Sequence, residues 1–296
     1  MIFISTGMIG NQSAVRTTKE FLDLGIKEIE LSGGLYEENI LDKIIKFKKL
    51  ASFQVHNYFP PPKVSFTLNL ATFDKDLLNI CYEHLKNSIR LSSELEGNYY
   101  SFHAGFLIDP QPKELGKKFK KRKINNKQEA IKIYIERLNY LSVFAKKEGV
   151  ELLIENNVLN KQHYKIFEQD PFLMTSTDDA LYIMKNTPKN VSLLVDFAHL
   201  KVAAKTLNFN PVDFLKICDP WIKGYHLSDN NGEYDTNDLI TESSWFWPYI
   251  KKNLEYYTLE IKCDNKSILL DQKKLVNKHL YQDDLLAASS FAKKTI

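Results

Sequence analysis

Leu193-Leu194-Val195-Asp196-Phe197-Ala198-His199 is the stretch that decides the fold. An apolar run too short for a helix stops on a carboxylate, and an imidazole follows three residues later. The same punctuation recurs along the chain. Phe53-Gln54-Val55 ends at His56, and Tyr99-Tyr100-Ser101-Phe102 ends at His103. Leu152-Leu153-Ile154 ends at Glu155, Gly224-Tyr225 leads into His226, and Thr258-Leu259 into Glu260. Short apolar runs buried on both faces are what parallel strands look like in sequence.

Counting outward from this stretch gives strand candidates at 2–6, 28–32, 53–57, 99–104, 150–155, 191–197, 222–227 and 256–261. Helical spacing fills the gaps between them. Leu78, Cys81, Leu85 and Ile89 recur on one face, as do Ile131, Tyr134, Ile135, Leu138 and Leu141. Ser13 is placed to cap the first helix and Gly25 to end it. Strict alternation of strand and helix predicts an α/β fold, a (β/α)₈ barrel in a single domain over 1–296. The runner-up is an open doubly wound sheet. Its usual nucleotide signatures, GxGxxG after the first strand or GxxxxGK[ST], are absent.

Composition narrows the function classes. Across 296 residues, 40 Lys+Arg stand against 37 Asp+Glu, a formal charge of +3, with 44% hydrophobic residues. That supports a large core and excludes a disordered chain. It argues against nucleic acid held by bulk charge. Cys81, Cys218 and Cys263 form no CxxC pair and no disulfide framework, so a reducing compartment is expected. No apolar run spans a bilayer and the N-terminus lacks a signal pattern, which predicts a soluble cytoplasmic protein.

Two segments fall outside the rhythm. After the fourth strand, 109–127 contains Lys117-Lys118-Phe119-Lys120-Lys121-Arg122-Lys123. It reads either as a solvated loop or as a basic lid over a phosphate or carboxylate on the barrel's catalytic face. The tail 265–296, with Leu269, Leu270, Leu275, Leu285 and Leu286, is expected to pack a last helix on the barrel or on the partner of a homodimer. His84, His163 and His279 lie in helix or loop contexts and are assigned to the surface. Glu30, ending the second strand, is expected to orient a neighbour.

Six successive strands ending in His, Asp or Glu converge on one mouth if the barrel is right. A lone histidine at a strand end is more often a satisfied core residue than a ligand, and a series of six is a constellation. Three carboxylates brought together there repel, and one or more must protonate. A divalent cation removes the conflict, with imidazoles completing its shell. The mixed nitrogen and oxygen set suits Zn²⁺, Mn²⁺, Co²⁺ or Fe²⁺ better than Ca²⁺. Tyr58, Phe59, Phe106 and Trp245 are aromatics near the mouth able to stack on a ligand.

The strand 191–195 with its D-x-x-H, the H-L-x-D-N-x-G of 226–232, and the glutamates of the fifth and eighth strands resemble the xylose isomerase-like TIM-barrel superfamily over roughly residues 1–262. That group holds sugar isomerases and epimerases together with endonuclease IV-type enzymes acting on abasic DNA. The resemblance implies a single-metal site of Glu155, Asp196, His226 and Glu260, with Glu155 and Glu260 as an acid/base pair. It implies further ligands, or substrate contacts, in His56, His103, His199 and Asp235. The implied activity is metal-dependent isomerisation or epimerisation of a sugar or sugar phosphate. An endonuclease IV-like zinc phosphodiesterase and a catalytically silent sugar-binding barrel are the alternatives. The chain departs from the endonuclease pattern at Asp235-Thr236-Asn237, where D-x-H is usual. Thr241-Glu242-Ser243 stands where G-E-G is common. An arginine frequent after the seventh-strand histidine is replaced within Asp229-Asn230-Asn231-Gly232.

Overall fold

A computed structural model describes residues 1–292, with side chains through residue 281. Eight parallel strands close into a barrel in chain order. They are β1 (Ile2–Ser5), β2 (Glu28–Ser32), β3 (Ser52–His56), β4 (Tyr99–His103), β5 (Glu151–Glu155), β6 (Val191–Asp196), β7 (Ile222–Leu227) and β8 (Tyr256–Leu259). Pairing of Ile2 with Tyr257 shuts the ring. Each expected strand is present, its ends shifted by at most two residues.

The helices outside the ring are α1 (Ala14–Asp23), α2 (Ile40–Ile45), α3 (Lys75–Glu94), α4 (Lys127–Lys147), α5 (Lys161–Phe167), α6 (Thr177–Lys185), α7 (Phe197–Leu207), α8 (Pro211–Cys218) and α9 (Ile268–Ala292). Their starts obey local chemistry. Ser13 accepts the backbone N–H of Arg16, Asp74 those of Asp76 and Leu77, and Asn126 that of Glu129. Gly25 adopts φ +79° just past α1, as a helix stop requires. α9 buries Leu269, Val276 and Leu280 against the barrel. Leu285 and Leu286 lie outside the described side chains.

The strands alternate, which corrects the reading of continuous apolar runs. Ile4, Leu31, Val55, Phe102, Ile154, Val195, Leu227 and Leu259 belong to the core between barrel and helices. The residues between them face the lumen. The lower lumen is filled by Phe3, Tyr99, Leu153, Leu194 and Tyr256, a separate apolar cluster. The runs looked continuous because this lumen layer is apolar too. A register shift at Leu193/Leu194 resets β7 so that Gly224 pairs with Leu194. A Cβ at Gly224 would meet side-chain atoms of Leu194 and Tyr256 at 3.0–3.1 Å, so glycine there spares the lumen layer a tight contact.

The basic segment after β4 is tied down. Arg122 donates to both oxygens of buried Glu114 at 2.6 Å and to the carbonyl of Asp109 at 2.7 Å. The Asp109 carboxylate accepts in turn from Asn69 and Thr72. The Phe119 ring is buried and stacks on His163. Its lysines stay exposed while its backbone is fixed, so neither a free loop nor a detached lid describes it.

Candidate active site

One register step above the apolar lumen layer, β2, β3, β5, β6 and β7 each place an ionisable side chain inward: Glu30, His56, Glu155, Asp196 and His226, all at most 2% exposed. Glu260 follows β8, and His103 ends β4 at the rim. Asp196 holds its place by two devices. Its Oδ1 accepts the backbone N–H of His199 at 2.7 Å, capping α7, and its backbone is clasped by the Asn156 side chain.

Glu155 is the hub. His56 Nε2 and His103 Nδ1 stand 3.3 and 3.4 Å from its Oε2. His199 Nδ1 and His226 Nδ1 stand 3.2 and 3.4 Å from its Oε1. His226 Nδ1 is also 2.9 Å from Glu260 and 3.9 Å from Asp196. Yet Glu155 Oε1 and Oε2, Asp196 Oδ2, His226 Nδ1 and His103 Nδ1 are buried without a hydrogen-bond partner. Buried polar atoms are otherwise nearly always paired. Here they converge with poor mutual geometry, as ligands around a shared centre do. Ligand atoms of Glu155, Asp196, His226 and Glu260 lie within 4.8 Å of one another, and so do those of His56, His103 and Glu155. The donor set and its orphaned atoms fit a divalent cation in the first group, with room for a second beside it sharing Glu155.

Hydrogen bonds behind the cluster set the imidazole tautomers. Glu30 Oε2 accepts from His226 Nε2 and Thr258 Oγ1, both at 2.9 Å, and from the Tyr256 hydroxyl. Because Tyr256 gives its proton to Glu30, it accepts from Ser101 Oγ at 2.8 Å, and Ser101 accepts from His56 Nδ1 at 2.9 Å. The chain runs His56, Ser101, Tyr256, Glu30. It leaves His56 Nε2 and His226 Nδ1 as the nitrogens that face Glu155, the arrangement expected behind metal-binding histidines. Glu30 thus orients a neighbour as the sequence suggests, and in fact orients two.

Charges in the cluster are mutually supported. Burial opposes ionisation of Glu155, but His103 and His226 hold its carboxyl well below the usual range. Burial likewise works against protonating His226, yet Glu30, Glu155 and Glu260 raise it well above the usual imidazole value. His199 is raised in the same way by Asp196 and Asp235. Burial pushes Asp196 up to about 7 and His103 down to about 4. Protons on imidazole therefore balance the carboxylates where a cation is not bound.

The eight sequence-derived site residues come together. His199 Nε2 contacts Asp235 at 3.1 Å and its Nδ1 contacts the Asn156 carbonyl at 3.0 Å. Both nitrogens are occupied, and the pair forms part of the cavity wall. Asn237 beside it offers an amide, whose Nδ2 lies 3.5 Å from Ser228 Oγ. Two surface assignments are wrong. His84 is 8% exposed and its Nε2 contacts the Asn57 carbonyl; His163 is 8% exposed with Nε2 on the Lys117 carbonyl. His279 is half-covered, stacked on Trp247 and paired with Glu242. Tyr256, Ser101 and Thr258 escaped sequence reasoning, although their spacing of two from Thr258 to Tyr256 and from His103 to Ser101 marks them as lumen residues.

Above the cluster opens a cavity of about 670 Å³, lined among others by Tyr58, Phe66, His103, His199, Asp235 and Glu260. Tyr58 and Phe106 border it as expected. Phe59 is wholly buried, and Trp245 packs edge-on against Phe197. Its size suits a small molecule.

Residues 19–256 match the model of the xylose isomerase-like TIM barrel family, and the chain belongs to that family. Among solved structures it is similar to a D-tagatose 3-epimerase-like protein, with 17% identity, TM-score 0.73, and coverage of 97% of this chain and 99% of that one. It is similar to D-psicose 3-epimerase with D-tagatose from Clostridium cellulolyticum, at 12% identity, TM-score 0.63, and coverage of 92% and 89%. It is also similar to endonuclease IV from Thermus thermophilus, at 11% identity, TM-score 0.56, and coverage of 95% and 99%. At these identities the likeness concerns the fold. No curated protein matches the sequence. No described helix is long and apolar enough to cross a membrane.

Proposed function

We propose that the protein is a metal-dependent isomerase or epimerase acting on a small sugar or sugar phosphate. The observation that carries this reading is the buried quartet Glu155, Asp196, His226 and Glu260, which reaches a cavity of small-molecule size through Glu260. These four residues would hold the ion. When bound, a divalent cation supplies Lewis-acid stabilisation of negative charge developing beside a carbonyl. The family's solved epimerases support the substrate class.

The chain's own groups divide the remaining work. Glu260 borders the cavity, and of the two glutamates its carboxylate is the one exposed to a carbon-bound proton. Glu155 lies beneath it, and the reading assigns proton return to this pair. Return to the same carbon from the other side inverts it, and return to the neighbouring carbon exchanges aldose for ketose. Such acid/base help contributes roughly 10²–10⁴ in rate. Tyr58 and Phe66 exclude water, and Asp235, whose Oδ1 has no partner, offers an acceptor to a hydroxyl group. The test is solvent deuterium entering a panel of ketoses and ketose phosphates at C2 or C3. Glu155→Gln should abolish the exchange, and unchanged exchange would remove Glu155 from the mechanism.

The cluster of His56, His103 and Glu155 favours a second reading, a two-metal phosphodiesterase on abasic DNA. Robust metal-dependent nicking of an abasic duplex, with no sugar exchange, would replace the first reading with this one.

A further inference from the structure

We propose that Lys118, Lys161 and Lys165 form a phosphate subsite at the rim of the active-site cavity, so that the substrate is a phosphorylated sugar held at both ends. The inference rests on the sugar reading above and specifies its substrate class.

A second opening of about 500 Å³ is lined by Lys118, Lys161, Gln162, Lys165, Ile166, Glu233 and Tyr234. Three of these residues, Lys118, Gln162 and Tyr234, also line the cavity that reaches Glu260 and His199. One continuous trough therefore joins the carboxylate–imidazole cluster to the lysines. Lys161 and Lys165 stand four apart on α5 and share a face. Lys118 is brought to that face by its neighbours in the chain. The carbonyl of Lys117 lies 2.9 Å from His163 Nε2, and the Phe119 ring is buried between His163 and Phe172. Buried anchors thus bring Lys118 into one lining with the two α5 lysines, and like charges so gathered repel unless an anion joins them.

The lysines have no counter-ion of their own. Among the described residues none of the three pairs with a carboxylate, while Lys121 pairs with Glu168 and Lys205 with Glu233. Glu233 is the one carboxylate in the lining, and Lys205 engages it. Three exposed, flexible ammonium groups suit a compact dianion, which lysine binds as a point charge. They stand at the mouth of a site that itself concentrates carboxylates, and so discriminate where along the trough an anionic group can lie.

The experiment is calorimetric titration of the zinc-loaded protein with D-xylulose 5-phosphate and D-fructose 6-phosphate, each beside its unphosphorylated ketose, and with inorganic phosphate. The comparison variant is Lys118→Gln/Lys161→Gln/Lys165→Gln, whose changes are all at exposed positions; circular dichroism checks its fold. At least one phosphorylated ketose should bind about tenfold or more tightly than its plain counterpart, a difference of about 1.4 kcal/mol. The preference should fall to near unity in the variant. Equal binding of plain and phosphorylated ketoses by the unmodified protein, or a preference that survives in the variant, overturns the subsite. Inorganic phosphate bound by the unmodified protein and lost in the variant, with no ketose bound or exchanged, supports the anion subsite and overturns the sugar reading. Salt-sensitive binding of an abasic duplex lost in the variant, with no ketose phosphate bound, overturns the proposal in favour of a nucleic-acid backbone.

Discussion

Two layers of the same lumen, one residue pair apart, have opposite characters. Phe3, Leu153, Leu194 and Tyr256 fill the lower layer, and Leu194 and Tyr256 crowd the position of Gly224. Two positions further along β5 and β6 stand Glu155 and Asp196, equally buried and carrying atoms with no hydrogen-bond partner. Burial alone therefore does not distinguish them; satisfaction does. The lower layer is complete as it stands, and the upper layer is complete only with a cation or with protons in its place.

The comparison can be broken at either layer. The largest effect is expected in the upper one: Asp196→Ala should remove tight zinc binding by calorimetry while circular dichroism keeps the barrel signature. In the lower layer Leu194→Ala should lower unfolding free energy by about 2–5 kcal/mol in denaturant titration, through a cavity beside Gly224. Equal stability loss in both variants would erase the distinction between layers. Glu30→Gln tests what lies between them. It removes the negative charge and one of the two accepting oxygens behind His226 and His56, and should weaken zinc about 10–100-fold, a range typical of such supporting groups. An unchanged affinity would show that the tautomers are set elsewhere.

pH sharpens the same contrast. His226 and His199 are raised well above the usual imidazole value by carboxylates that outweigh burial, so both carry protons at neutrality. An ion must displace a proton from His226. Zinc affinity should therefore fall as pH falls, and titrations in buffers of different ionisation enthalpy should reveal proton release. A smaller effect belongs to the strap. Burial opposes it, but the backbone N–H groups of Lys120 and Gln111, with Arg122, lower Glu114 to about 2. A carboxyl lowered on folding stabilises above its unfolded value near 4.5 and loses that contribution as pH falls toward 2. Proteolysis between residues 115 and 123 should accelerate in that window and, in Glu114→Gln, already at neutrality.

Much of this was legible in the sequence because a strand's final residue on a buried run must be either apolar or purposeful. Asp196 after Leu193-Leu194-Val195 could not be mistaken for surface, and the same held for Glu155 and His226. The strand order followed from alternation with helices. Other features were hidden because their cause is tertiary. His84 and His163 sit in helices, and they are buried by distant parts of the chain: Tyr58, Phe66 and the Asn57 carbonyl on His84, Phe119, Phe172 and the Lys117 carbonyl on His163. Tyr256 looked like another apolar strand residue, yet its hydroxyl completes the chain to Glu30. The pairing of His199 with Asp235 joins the first turn of α7 to the loop after β7, and no local spacing announces it.

The most direct test is the position and amount of bound metal. Crystals grown with zinc, measured by anomalous diffraction, should show an ion between Glu155, Asp196, His226 and Glu260, and solution analysis should find it retained after dialysis. A protein that retains no ion, and whose crystals show no anomalous peak at that quartet, would contradict the account.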